Sequence, residues 1–238
     1  IATPFEYDKT VVHVSEHPTE DAWVVGANHG LVTSVARGSG ALTTLRAASS
    51  GWSPGAIVAV SSDGASLAVA LEDRIELWRG GALIASGTTG SGRNVLRLQF
   101  APGDELLLSS GSGAVTLWSV PTLEQVARWI DKDRAAISPD GTLLAMSDWY
   151  GVLRLYDVAT LRQLGMPLQA NGDPLVALEF NRDGTVLLTL DAAGDVMSWR
   201  TSPASWLQSA CAMAWRDLSG DEVARFMSAE TFEPVCPS

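Results

Sequence analysis

Lysine is almost missing from this chain. Of its 16 basic residues only Lys9 and Lys132 are lysines, and the arginines are scattered. Against them stand 27 acidic residues, for a net charge of −11. A surface of that sign repels nucleic-acid backbones and anionic membranes over most of its area. It fits plain solubility, or a basic protein partner. Cysteine is limited to Cys211 and Cys236, both within the last 28 residues. Two such residues are no disulfide framework. They fit a reducing compartment and read first as small buried hydrophobes, although a tail of two short helices would bring them close in space. No apolar run approaches the ~18 residues of a membrane helix. No signal peptide is visible, and the expected location is cytoplasmic. The chain opens at Ile1 rather than methionine, which points to a piece of something longer.

The machinery of catalysis is equally sparse. There is no Gly-x-Ser-x-Gly elbow, and no histidine stands close to either cysteine in the pattern. The histidines are His13, His17 and His29. Three or four converging ligands make a metal site, and these residues read instead as hydrogen-bonded or solvated turn residues. Gly87–Asn94 (GTTGSGRN) echoes a phosphate loop, but Arg93-Asn94 stands where Lys-Ser/Thr is required, and the segment does not join a strand to a helix. The expectation is a non-enzymatic chain with no cofactor and no metal.

What the sequence does contain is a repeat. Ser61–Gly64 reads SSDG, Ala101–Asp104 APGD, Ser138–Gly141 SPDG and Asn181–Gly184 NRDG, with steps of 40, 37 and 43 residues. A second landmark, the aromatic closing the third strand of each unit, falls at Trp78, Trp118, Tyr156 and Trp199, with steps of 40, 38 and 43. Periods near ~40 with four short strands are the signature of propeller blades. Inner strands such as LLLSS and LLAMS are apolar throughout, as expected of strands packed on both faces by neighbouring blades. A weaker unit starts at Val11 and lacks the turn glycine, and the last unit lacks a fourth strand. The predicted fold is therefore all-β. It is a β-propeller of about five four-stranded antiparallel blades over residues 1–200, complete or as part of a seven-bladed ring. A helical tail, residues 201–238, is expected to pack on it as a clasp. In that tail Trp206, Ala210, Met213 and Ala214 recur at helical spacing, and Ser219 with Glu222 makes a capping-box pattern.

Segments such as SPDGTLLAMSDWYGVLRLYDVATLRQLG and GMPLQANGDPLVALEFNRDG resemble WD repeats, over roughly Val11 to Trp199. The Gly-His dipeptide that usually precedes the first strand of such repeats is missing. That argues against their buried His–Asp network, although Asp148 and Asp191 hold the matching turn positions. The tail, with Trp206, Cys211, Trp215, Phe226, Phe232 and Cys236, is similar to the terminal segment of bacterial WD-repeat proteins. In those proteins a propeller follows a STAND-class ATPase or another effector. The resemblance implies a sensor or scaffold domain whose effector lies outside this sequence.

Loops joining second to third strands and fourth to first strands share one face of a propeller. Here that face carries Asn28, His29, Trp52, Arg93, Asn94, Trp149, Tyr150, Asn171 and Asp173. Aromatics with Arg and Asn are the composition of an interface hot spot. The predicted protein-binding residues are Trp52, Arg93, Trp149, Tyr150 and Asp173. The Trp149-Tyr150 pair stands out, because the equivalent loops of other units use Gly, Ser or Ala. The competing expectation is that Trp149 folds over a neighbouring blade as a lid. The functional expectation is recognition of a protein or peptide within a larger signalling or defence protein. The alternatives are a propeller that gates a linked hydrolase or protease, and a scaffold subunit whose ring another chain or segment completes.

Overall fold

A computed structural model describes residues 10–48, 55–72, 74–90, 95–111, 113–169 and 172–214, together with 222, 225 and 236. Among the described residues nineteen strands form five antiparallel sheets. Blade one holds β1 (Val11–Glu16), β2 (Ala22–Ala27), β3 (Val32–Ala36) and β4 (Leu42–Arg46). Blade two holds β5 (Ile57–Val60), β6 (Ser66–Leu71), β7 (Arg74–Arg79) and β8 (Ala82–Thr88). Blade three holds β9 (Val95–Phe100), β10 (Leu106–Gly111), β11 (Ala114–Ser119) and β12 (Gln125–Ile130). Blade four holds β13 (Arg134–Ile137), β14 (Leu143–Ser147), β15 (Val152–Asp157) and β16 (Gln163–Gln169). Blade five has three strands, β17 (Leu175–Phe180), β18 (Val186–Asp191) and β19 (Val196–Arg200), followed by helix α1 (Pro203–Ala214). Each sheet is a meander, ordered in space as in sequence.

The turns explain the register. In SSDG, SPDG and NRDG the aspartate carboxylate accepts the backbone N–H two residues on: Ala65 at 2.8 Å, Thr142 at 3.1 Å and Thr185 at 2.9 Å. Hydroxyl hydrogen bonds, from Ser61, Ser138 and Thr185 respectively, head the causes that hold these three carboxyls below the usual range. Such Asx turns close hairpins without help from the core. The fourth turn is built differently. Asp104 reaches the neighbouring blade and accepts from the Ser62 backbone N–H at 2.9 Å and its hydroxyl at 2.6 Å.

Alternation along each strand sends one set of side chains to each neighbouring blade. Val24 and Val32 meet Val58 and Val69; Ile75 and Leu77 meet Leu98 and Leu107; Leu117 meets Ile137 and Met146; Leu153 and Leu155 meet Leu178 and Leu187. No blade has a core of its own, so each depends on the stack. Among the described residues, blades five and one do not stack as the internal pairs do. The face of blade five turned from blade four exposes Leu188 and, at 68%, Val196. The face of blade one turned from blade two exposes Val14, Trp23 and, at 52%, Leu42. The five blades form an arc with two bare apolar flanks.

One expectation changes, and one strand has a feature of its own. The last strand of blade four, Gln163–Gln169, runs through Pro167. An outermost strand tolerates proline, because its free edge has no ladder bond to lose. Cys211 and Cys236 are not two unpaired buried thiols: they form a disulfide with Cα atoms 5.3 Å apart. One reason for placing the chain in a reducing compartment goes with that expectation. Helix α1 has no buried residue. The indole N–H of Trp206 donates to the Arg200 carbonyl at 2.7 Å, tying the helix to the end of β19. The expected second helix, including Ser219, and the extended end lie largely outside the described residues. Among the described residues no helix is long and apolar enough to cross a membrane.

Candidate functional site

The strand-edge loops of blade four build the site. Asp148 follows β14 directly and organises the loop. Its carboxylate accepts the backbone N–H of Tyr150 and of Val152, each at 3.1 Å, and the Arg154 guanidinium at 2.7 Å. Lys132, in the connection from blade three, stands 3.7 Å away. Partial burial pushes the Asp148 carboxyl up, but these hydrogen bonds and cations outweigh it and hold the group below its ordinary range. Gly151 then takes a left-handed turn at φ 70°, and its absent Cβ would sit 2.3 Å from the Asp173 carbonyl oxygen. Only glycine permits both the turn and that approach. Gln169 donates to the Tyr150 carbonyl at 3.4 Å. A loop pinned at this many points presents its side chains at little entropic cost on binding.

Trp149 and Tyr150 project from this frame, 42% and 77% exposed. The structure thus brings Trp149, Tyr150 and Asp173 together on one face. Trp52, Arg93, Asn94 and Asn171 lie outside the described residues. Asn28 and His29 lie on the corresponding loop of blade one.

Other expectations resolve into structure. His17 accepts the Glu20 backbone N–H at 3.1 Å, and His13 accepts that of Val58 at 3.4 Å. Burial, aided by the Arg97 charge, pushes the His13 imidazole down from its usual value. Among the described residues no three His, Cys, Asp or Glu converge as metal ligands. Where a buried His–Asp network was not expected, Asp148 pairs with Arg154 and Lys132 instead. The indoles of Trp118 and Trp199 donate to Ser109 at 2.9 Å and Thr189 at 3.1 Å within their own blades.

Two polar features escaped the sequence reading. A central cavity of about 910 Å³ is lined by the inner strands, and Arg97 of blade three spans part of it to both carboxylate oxygens of Glu179 in blade five. Between blades one and two, Arg46 donates to Glu76 at 2.7 and 3.4 Å, while the Trp78 indole reaches the same carboxylate at 3.0 Å. A carboxylate in the middle of the apolar strand RIELW was the available signal for the second feature. Nothing in the sequence pairs residues 97 and 179.

No family model and no curated protein matches the sequence. Solved structures do. The β-propeller domain of Cps50 (Swd1) from Myceliophteria thermophila superposes with a TM-score of 0.72 at 14% identity, covering 86% of this chain and 69% of that one. The fold is a β-propeller. At that identity the likeness concerns the fold alone. It accounts for the five blades and leaves a good part of the Cps50 propeller without a counterpart here.

Proposed function

We propose that this propeller is a protein-recognition module that binds its partner through the loop face around Trp149, Tyr150 and Asp173, with Trp52 and Arg93 extending it. The observation that carries this reading is a large exposed aromatic pair on a rigid loop. Elsewhere in the chain the equivalent loops carry Asn28-His29, Glu72-Asp73, Ser112-Gly113 and Ala192-Ala193, with no Trp or Tyr. Trp and Tyr are enriched among the anchors of interfaces, where a rigid ring gives contact area at low entropic cost. The resemblance of the repeats to WD repeats and of the tail to bacterial STAND-class proteins supports a sensor or scaffold role beside an effector. In that setting, partner binding shifts the population of effector states. The tail from residue 201 acts in this reading as a clasp on the rim. The test is the double variant Trp149→Ala/Tyr150→Ala. It should lose the partners that the intact protein retains from lysate, with its melting temperature lowered by no more than a few degrees. A variant that keeps them, or one that unfolds, removes the reading.

The bare flanks of blades one and five favour a second, compatible role, that of a scaffold subunit whose ring is completed by further blades. Exposed aliphatic faces of this kind occur where another sheet is meant to stack. Light scattering and hydrophobic-dye uptake test this. The isolated protein should self-associate or bind dye, and Leu188→Lys/Val196→Glu should reverse it. A monomer without dye uptake contradicts it.

A further inference from the structure

Resting on the recognition reading above, we propose that the segment received by the Trp149–Tyr150 loop is a peptide carrying arginine or lysine side chains. The charges around the loop lead to this. Two cations beside the loop, Lys132 and Arg154, are both drawn onto Asp148 and have their side chains largely covered. The carboxylates on either side are not so engaged. Asp131, next to Lys132, and Asp173, against Gly151, are exposed and form no ion pair among the described residues. The loop face therefore offers two exposed aromatic side chains, with exposed carboxylates on the connections that flank blade four, and the described cations Lys132 and Arg154 are held on Asp148. A guanidinium or ammonium stacked on such rings gains from the ring quadrupole and from acidic residues on the same face. The net charge of −11 adds a long-range bias toward a cationic peptide and against a carboxylate-bearing one. Asp133 does not join this set. It is buried behind the loop, and desolvation raises its carboxyl above the ordinary range despite Arg134 at 3.5 Å.

The experiment uses the intact 238-residue protein and three fluorescein-labelled eight-residue peptides of alternating Gly with Arg, Gln or Glu, followed by anisotropy at low and physiological salt. The expected result is binding of the Arg peptide at least about tenfold tighter than the Gln peptide, and no binding of the Glu peptide. Trp149→Ala/Tyr150→Ala should weaken the Arg peptide about tenfold or more. Tyr150→Leu, which keeps apolar area but removes the π face, should weaken it several-fold. Asp131→Asn/Asp173→Asn should do likewise, while Asp63→Asn/Asp183→Asn on the opposite face leaves it unchanged. Equal weakening by both aspartate pairs would mean diffuse attraction to an acidic surface and would overturn the proposal. If the Gln or Glu peptide binds as well as the Arg peptide, and the aromatic variants lose it, the recognition site stands and its cationic ligand does not. If the aromatic variants bind all peptides as the parent does, both readings fall.

Discussion

Replacing Glu76 with glutamine should separate blade one from the rest of the arc. Glu76 is 3% exposed, and its carboxylate holds Arg46 of blade one at 2.7 Å, with the Trp78 indole at 3.0 Å and Arg74 at 3.5 Å. Arg46 spends its remaining donors on the carbonyls of Gly30 at 2.7 Å and Ala47 at 3.1 Å. In the variant a neutral amide faces a guanidinium that keeps its charge and most of its burial. Breaking a buried pair from one side costs about 3–5 kcal/mol, and the partial exposure of Arg46 places this one near the lower figure. Because blades stabilise only their neighbours, the loss should be local. Hydrogen exchange should show faster exchange of Ala22–Ala27 amides, with those of Leu143–Ser147 unchanged. Arg46→Met/Glu76→Leu, which removes both charges, should recover most of the loss. Burial pushes the Glu76 carboxyl up, but the Arg46 hydrogen bonds and charge outweigh it, so its folded pKa lies below the ordinary value. The pair's contribution is therefore complete above the unfolded pKa and is lost as pH falls through the folded one. Glu76→Gln should flatten that acid limb. A variant within about 0.5 kcal/mol of the parent, or one that loses protection evenly across all blades, would refute the seam.

Four further outcomes follow from the same geometry. Trp118→Phe removes the indole hydrogen bond to a buried Ser109 and should cost about 1–3 kcal/mol in urea titration; no change would mean that the bond contributes nothing. Asp133→Asn should raise stability near neutral pH, because a carboxyl raised by burial contributes stability that is lost as pH rises through its folded pKa; the parent's decline over that window should vanish in the variant's pH profile. Gly151→Ala should cost more than about 1 kcal/mol and displace the Trp149 loop, read as a change in tryptophan emission. Cys211→Ser opens the disulfide across a separation of 25 residues, yet α1 buries no residue, so the main unfolding transition should stay in place while protease cuts the tail faster.

The blades were legible because their determinants are local. An aspartate that accepts the N–H two residues on, as Asp63, Asp140 and Asp183 do, is visible in a four-residue window. An aromatic at the end of the third strand recurs at the blade pitch whatever its partner is. The partners themselves were not legible. Trp118 and Trp199 find a hydroxyl in the adjacent strand, whereas Trp78 finds a carboxylate, and that carboxylate is claimed by an arginine 30 residues away. The Arg97–Glu179 pair is 82 residues apart, a separation at which charge pattern carries no information. The bare flanks were hidden for another reason. Leu188 and Val196 have the same alternation as buried strand residues, and only the absence of a stacking blade exposes them. At the site, Trp149 and Tyr150 stood out because no other second-to-third strand loop carries a Trp or Tyr, but Asp148 as the hub and Gly151 as the hinge against Asp173 needed the fold.

The central claim is that the Trp149–Tyr150 loop is a recognition surface rather than part of the core. Melting temperature and partner retention measured together on Trp149→Ala/Tyr150→Ala test it most directly. Neither side chain belongs to a buried core cluster, so the predicted result is a melting temperature lowered by no more than a few degrees, with partner binding lost. Loss of the folded state, or binding that survives, would contradict it.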